Sequence, residues 1–483
     1  MLTRDGFKTM LESTGARGQR AAGGAGAAAA VECTSAIEGK AFMAVSQSHD
    51  QVAEVTASPT APTYDVCIVG TGRVGLPLGL SFVEAGVKAV GVDMDDDLRD
   101  TVNSGRMPFR EPGYDDLVAR KEFFVSADAA VVADSAATVI TVGTPLHNHI
   151  ETDLTQIQRV LDEVGPHLRP GHLICLRSTV APGTTRFVHK WIERHTRLRV
   201  GKEIFLAFCP ERIAEGRAYE ELHTLPQIVG AEDDESQRRA AELFGHLAPE
   251  ILPSGYVTAE LVKLFNNILR YVHFALANQF AMIADEFGAN IYETRRLANY
   301  KYPRSFLAAP GMTAGTCLRK DFGMINEWSA YPDMLLSAWK VNEYVPAFLV
   351  DHLLQRTEIH DTVVAILGFS FKAETDDVRD SLAPKLWRYV HRQLPMEIRV
   401  SDHHLADPIP EASVGNPRNW PIGEALDNVD IVFVATNHAG YREALVELGK
   451  RRPNAWIADI WNVGETDQIF YQAKCATAVE AGR

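Results

Sequence analysis

Cys317, Lys320 and Asp321 stand together in AAPGMTAGTCLRKDF, residues 308–322. A thiol becomes chemically useful when its thiolate is stabilised and reachable. Here a cation follows at the third residue and a carboxylate at the fourth, and Gly311 and Gly315 leave room for a substrate to approach the chain. A nucleophilic cysteine beside a hydride acceptor can oxidise an alcohol twice. A first hydride transfer gives an aldehyde, and the thiolate adds to it. The resulting thiohemiacetal gives up a second hydride to leave a thioester, which water opens to an acid. Such chemistry also needs a base, a partner for the oxyanion and a grip on the rest of the substrate. Taken alone, the cysteine could equally be structural.

A hydride acceptor has its own signature. CIVGTGRVGLPLGLSFVEAG holds Gly70, Gly72 and Gly75 as GxGxxG around Arg73 and Val74, after a strand-like run and at the opening of a helix-like one. Asp93 ends the next strand-like run, 23 residues after Gly70. The first glycine allows the tight turn, the second lets a pyrophosphate approach the backbone, and the third lets helix and strand pack closely. The helix N-terminus then offers N–H groups to the phosphates. Asp93 would hydrogen-bond the adenosine ribose and repel a 2′-phosphate, which favours NAD over NADP.

Candidate companions are spread along the chain. Lys263 and Asn267 are four residues apart and share one helical face. CPERIAEG places Glu211, Arg212 and Glu215 just past a strand-like run, where open α/β sheets hold ligands. Thr179 in LRSTVAPGTT and Thr144 in VGTP lie at similar strand ends. FKAETDDVRDS supplies Phe371, Lys372 and Arg379, a plausible diphosphate grip.

The elements that must position these groups follow an alternating pattern. Strand-like runs at 64–70, 88–93, 137–143, 172–178, 204–209 and 227–231 have helical patterns between several of them, which predicts a parallel sheet covered on both faces. Residues 256–287 contain no Gly or Pro, and Leu261, Leu264, Ile268, Tyr271, Val272 and Ala275 recur at helical spacing. A helix of that length spans roughly 48 Å and suits a connector and an oligomer interface. Ser254 or Thr258 could start it and Gly288 could end it. A second α/β texture begins at VVAILGFSF (363–371). The expected organisation is a flexible low-complexity tail over 1–62, an NAD-binding domain over 63–253, a central helical domain over 254–350 and a second α/β domain over 351–483.

Composition narrows the function classes. The net charge of −15 argues against non-specific nucleic-acid binding. No apolar run reaches the roughly 18–20 residues of a membrane span. None of the six cysteines forms CxxC, so cysteine-based zinc and dithiol redox readings are weak, and no metal is expected. Cys67, Cys175 and Cys209 lie in apolar runs and read as buried strand residues; the pattern fits a reducing compartment, the cytoplasm.

The set GTGRVG, REPG (110–113), VGTP, STVAPGTT, PERIAEG, AELVKLFNN, GTCLRKD and FKAETDDVRDS, in this order, resembles the nucleotide-sugar 6-dehydrogenase family, whose members include UDP-glucose and UDP-N-acetylmannosamine dehydrogenases. The likeness covers about residues 64 to 465. It implies two Rossmann-like α/β domains joined by a long central helix, with NAD in the first, a UDP-sugar in the second, and a homodimer or higher homo-oligomer. It makes Cys317 the nucleophile and Lys263 the oxyanion partner beside Asn267. Asp321 and Thr179 would position water, with Glu211 a further candidate base. The NAD site would comprise the GTGRVG loop, Asp93, Thr144, Thr179, Glu215 and Arg379. The sugar nucleotide would meet Glu211, Arg212, Glu215, Lys263, Asn267, Gly311, Gly315, Phe371 and Lys372, with Arg304 reaching a neighbouring subunit's site. Arg212 matches the branch acting on N-acetylated hexosamines, whereas Lys320–Asp321 matches the glucose branch, so both sugars stay open. Two other readings are a two-electron β-hydroxyacid-type NAD dehydrogenase and a catalytically silent NAD-binding scaffold.

Overall fold

The computed structural model describes residues 62–144, 146–147, 151–326, 331, 333–410 and 413–481. The expected tail lies outside them, apart from residue 62. The first sheet contains β1 (Tyr64–Val69), β2 (Ala89–Val92), β3 (Phe124–Ser126) and β4 (Ser135–Ile140). A separate hairpin, β5 (Leu146–His147) and β6 (Glu151–Thr152), interrupts it in sequence. It resumes with β7 (Leu173–Leu176), β8 (Phe205–Phe208), β9 (Gln227–Gly230) and β10 (Ile251–Ser254), in the order β10-β9-β8-β7-β4-β1-β2-β3. The second sheet has β11 (Val363–Leu367), β12 (Glu397–Ser401), β13 (Ile431–Val434), β14 (Trp456–Ala458) and β15 (Phe470–Gln472), in the order β12-β11-β13-β14-β15.

β2, β7 and β8 are buried at every residue, as expected of parallel strands covered on both faces. Cys67 in β1, Cys175 in β7 and Cys209 just past β8 are buried, and burial pushes the Cys67 thiol up to about 12, which makes it inert. Two pairings depart from the all-parallel expectation. β9 meets β8 antiparallel at Phe208 and Gly230, and β15 runs antiparallel to β14. No helix separates β14 from β15, and a parallel return would require a crossover.

The long helix runs Tyr256–Glu286. Neither Ser254 nor Thr258 caps it. Ser254 is the last residue of β10, and Gly255 is the cap position, with no side-chain bond. At the far end Gly288 has φ +65° and Ala289 N–H bonds the Ala284 carbonyl at 2.8 Å, so the glycine does end the helix. The glycines before Cys317 suggest a loop, but its segment is not all loop. Gly315, at φ +100°, closes the loop, and Thr316–Asn326 is helical. Met324 of this helix packs on Leu264 and Ile268 of the long one, and such burial outweighs the loop-like local composition.

Glu260, on the long helix, is buried against the first domain. Its carboxylate accepts Gly183 N–H at 2.6 Å, Thr185 N–H at 2.7 Å and the Thr185 hydroxyl at 2.6 Å, at the start of the helix Thr184–Thr196. Burial raises its pKa and these donors oppose the rise. Losing them strands buried donors, so Glu260→Ala should cost about 2–4 kcal/mol in urea unfolding, and Glu260→Gln, which keeps one acceptor oxygen, about half as much.

Candidate active site

The glycine loop leaves β1 and enters the helix Gly75–Glu84. Gly70 has φ +91°. A Cβ at Gly75 would stand 1.9 Å from the Gly70 carbonyl oxygen, whereas one at Gly72 would meet nothing within 4 Å. The third glycine therefore serves helix–strand contact and the second faces open space, the division a dinucleotide site requires. The helix has no side-chain cap; Leu76 N–H bonds the Gly72 carbonyl at 3.0 Å and Pro77 has no N–H, so an anion here would be met by the positive end of the helix as a whole. Asp93, past the end of β2, accepts the Thr71 N–H at 2.6 Å and the Thr71 hydroxyl at 3.2 Å, and so is held against the same loop. Val74 is partly exposed in that loop.

Arg73 takes an unforeseen role. It bonds Glu215 at 2.6 Å and Asp376 at 2.7 Å, with Asp377 at 3.8 Å, and so ties the glycine loop to the loop after β11. Arg379 pairs with the same Asp377 at 2.6 Å. The REPG segment joins this brace, since Arg110 N–H bonds Asp376 at 2.9 Å and buried Glu111 accepts Gly216 N–H at 2.8 Å and Ala218 N–H at 2.9 Å.

Thr144 and Thr179 follow neighbouring strands β4 and β7. The Thr144 hydroxyl donates to the Thr179 carbonyl and receives Lys320 Nζ at 3.1 Å. Lys320 lies on the Cys317 helix, where Cys317 is the second residue; the cysteine's side chain lies outside what the structure describes. Asp321, four residues on, is fully buried. Its Oδ2 accepts Asn267 Nδ2 at 2.6 Å, and its Oδ1 has no hydrogen-bond partner among the described residues. Burial pushes the Asp321 carboxyl above its usual range, and Lys263 and Lys320 pull it back.

A cavity of about 310 Å³ collects Lys263 and Asn267 from the long helix, Glu215 and Gly315 from loops, and Phe371 and Lys372 from the loop after β11. Lys372 Nζ bonds the Glu215 carbonyl at 2.7 Å, and burial lowers its pKa. Gly311 is set by contact: a Cβ there would lie 2.2 Å from the Trp461 ring. Its N–H and carbonyl both bond the buried side chain of Asn278, at 2.8 and 3.0 Å. Asn278 and Trp461 position the site and were missed in the sequence, because neither stands in a motif.

Of the charged residues expected at the sugar nucleotide, Glu211, Arg212 and Arg304 do not line this cavity. The Glu211 carboxylate is buried against Arg177, with Nε at 2.8 Å, and also accepts Ile213 N–H at 2.6 Å. It lines a separate cavity of about 20 Å³, which holds about one water rather than a sugar nucleotide. Arg212 lines that same space and bonds the Pro226 carbonyl. Arg304 is exposed, stacked over Tyr302 at 4.8 Å.

The UDP-glucose/GDP-mannose dehydrogenase family matches in three parts: its NAD binding domain over residues 64–248, its central domain over 257–344 and its UDP binding domain over 365–466. The chain belongs to this family. As a member it is an NAD-dependent oxidoreductase of nucleotide sugars. It is 29% identical to the UDP-N-acetyl-D-mannosamine dehydrogenase of Pyrococcus horikoshii, over 82% of this chain and 95% of that one. The solved structure of that dehydrogenase superposes with TM-score 0.72 at 28% identity, over 80% of this chain and 92% of that one. The NDP-N-acetyl-D-galactosaminuronic acid dehydrogenase of Ralstonia solanacearum is 30% identical over 78% of this chain and 92% of its own. A UDP-glucose dehydrogenase of Pyrobaculum islandicum has TM-score 0.71 at 25% identity, over 80% of this chain and 93% of that one.

The brace between the glycine loop and the loop after β11 should titrate. Burial pushes the Glu215 carboxyl up to about 7, against the pull of Arg73. Burial also works against the Arg73 charge, but Glu215 and Asp376 outweigh it, and guanidinium stays protonated throughout. Folded Glu215 therefore keeps its proton to about 7, while the unfolded side chain loses it near 4.5. Stability should fall as pH rises through that window, and Glu215→Gln should flatten the fall when urea unfolding is compared at about pH 5 and about pH 7.5.

Proposed function

We propose that the chain oxidises the C6 hydroxyl of a UDP-sugar to a carboxylate, with Cys317 as the covalent nucleophile. The observation that carries this reading is the meeting of the Cys317 helix with buried Lys263 and Asp321 and part-buried Asn267, beside the cavity that receives Phe371 and Lys372. NAD+, when bound at the GTGRVG loop with Asp93 on its ribose and Thr144, Thr179, Glu215 and Arg379 around it, accepts a hydride, and each product consumes two. The sum is UDP-sugar, two NAD+ and water to UDP-uronate, two NADH and three protons.

Cys317 stands in the first turn of an eleven-residue helix, where the positive end favours a thiolate. It adds to the C6 aldehyde, and Lys263 stabilises the oxyanion with Asn267 beside it. Asp321, with one oxygen bonded to Asn267 and one open, holds the hydrolytic water together with Thr179. Glu211 acts from behind, by fixing the Pro210–Ile213 turn through its contact with Arg177 and Ile213. Gly311 and Gly315 let the loop close on the sugar, and Phe371 and Lys372 hold the nucleotide. Residues 63–253, 254–350 and 351–483 serve as cofactor, linking and substrate domains. The second α/β unit and the cysteine helix weigh against a two-electron β-hydroxyacid enzyme. Between sugars, the likeness to UDP-N-acetyl-D-mannosamine and NDP-N-acetyl-D-galactosaminuronic acid dehydrogenases favours an N-acetylated hexosamine, although Arg212 itself stands apart from the cavity.

The long helix also carries an outward apolar stripe of Phe265, Leu269, Leu276, Phe280, Ile283 and Phe287. We read it as the contact of a homo-oligomer, with Arg304 donated across it. Among the described residues no helix is long and apolar enough to cross a membrane.

A panel of UDP-sugars with NAD+ should give two NADH per sugar consumed, with UDP-N-acetylhexosamines turned over fastest. One NADH per sugar would sink the thioester route. Cys317→Ser should stop uronate formation with NAD+ affinity unchanged by titration calorimetry. Lys263→Ala should lower kcat by about a hundred- to a thousand-fold.

A further inference from the structure

Three imidazoles and a carboxylate converge at the carboxyl edge of the second sheet, and none of them lines the 310 Å³ cavity. Glu374 follows β11, His403 and His404 follow β12, and His438 follows β13, three strands adjacent in the sheet. One ligand atom from each residue lies within 4.8 Å of all the others. The ring centres are 4.1 Å apart for His403 and His404, and 4.9 Å from each of these to His438. Three imidazoles bound tetrahedrally to zinc through nitrogens at about 2.0–2.1 Å would hold their ring centres about 5 Å apart.

The surrounding bonds aim the ligands. Asp402 accepts His438 Nε2 at 3.1 Å and is itself fixed by Phe369 N–H at 2.7 Å, Ser370 N–H at 3.0 Å and, through its other oxygen, His404 N–H at 3.0 Å. Ser370 Oγ also lies 3.0 Å from His438 Nε2. With the proton on Nε2, the Nδ1 lone pair faces Glu374, accepting its N–H at 3.0 Å and lying 3.7 Å from its Oε1. This is the carboxylate–histidine arrangement that orients an imidazole toward a metal. Glu374 Oε2 is 3.2 Å from His404 Nε2 and 3.8 Å from Arg110, and Oε1 accepts Ala439 N–H at 2.8 Å. His438 is buried, while His403 and Glu374 are exposed enough to admit an ion.

We propose that Glu374, His403, His404 and His438 bind one divalent transition-metal ion of the zinc type. Three imidazoles and one carboxylate make a borderline-soft, four-ligand set suited to zinc or cobalt rather than magnesium or calcium. The ion takes the His438 Nδ1 lone pair in exchange for the Glu374 N–H. It thereby pins the loops after β11, β12 and β13 together. The first of these also carries Phe371, Lys372 and the Asp376 that holds Arg73.

The test is a Co2+ titration of the chelator-treated full-length chain, followed by visible absorption and by thermal melting. One Co2+ per chain with a strong tetrahedral d–d band, no thiolate charge-transfer band, and displacement by Zn2+ is the expected result. His403→Ala/His404→Ala should weaken binding at least about a hundred-fold and abolish the metal-induced rise in melting temperature. Should that variant fold poorly by circular dichroism, Glu374→Gln, at a half-exposed position, should weaken binding by about ten-fold or more. The absence of a d–d band, a thiolate charge-transfer band, or wild-type affinity in the folded variants would each overturn the assignment.

Discussion

A buried polar side chain is costly unless something pairs with it, and the long helix buries several. Glu260 is satisfied by the helix start at Gly183–Thr185, part-buried Asn267 by Asp321, and Asn278 by Gly311 and Asn342. Each pairing draws a different segment onto one helix: the first domain, the cysteine helix, and the glycine loop before it. Lys263 lies on the same buried face, between Glu260 and Asn267. The opposite face is apolar and exposed, an arrangement contrary to an ordinary surface helix. One element thus carries Glu260, Lys263 and Asn267 on its inner face and leaves an apolar stripe exposed on its outer face.

The second organising contact is Arg73. It sits inside the glycine fingerprint, yet its guanidinium is spent on Glu215 and Asp376. Glu215 in turn borders the cavity, and its carbonyl receives Lys372. The glycine loop, the loop after β11 and the cavity wall therefore share one chain of polar contacts. Movement at either loop is felt at the other, because breaking one link leaves a partly buried charge without its partner.

Much of the fold was legible because it rests on local pattern. The apolar runs located most strands to within a residue or two, and the gap-free helical spacing gave the long helix. The fingerprint glycines behaved as their chemistry requires, Gly70 by its positive φ and Gly75 by its contact with the Gly70 carbonyl. The site was half legible. Lys263 and Asn267 share a face because four residues make about one turn. The i+4 spacing of Cys317 and Asp321 carried the same message, but the glycines before it read as loop. Only packing of Met324 against the long helix made that segment helical. Short or edge strands such as β3, β10 and β15 carry too few apolar residues to stand out.

The sequence by itself determined which chemistry is available: a thiol, a lysine, carboxylates, and a glycine turn for a dinucleotide. Those properties belong to residue types and to spacings of a few positions. Tertiary structure alone decided which groups meet. Arg177 claims Glu211 across 34 residues, and Arg73 reaches Asp376 across 303. Glu374, the His403–His404 pair and His438 converge only because β11, β12 and β13 lie side by side in a parallel sheet. A parallel sheet gathers the carboxyl ends of strands that crossovers keep far apart in the chain, and no local period records that.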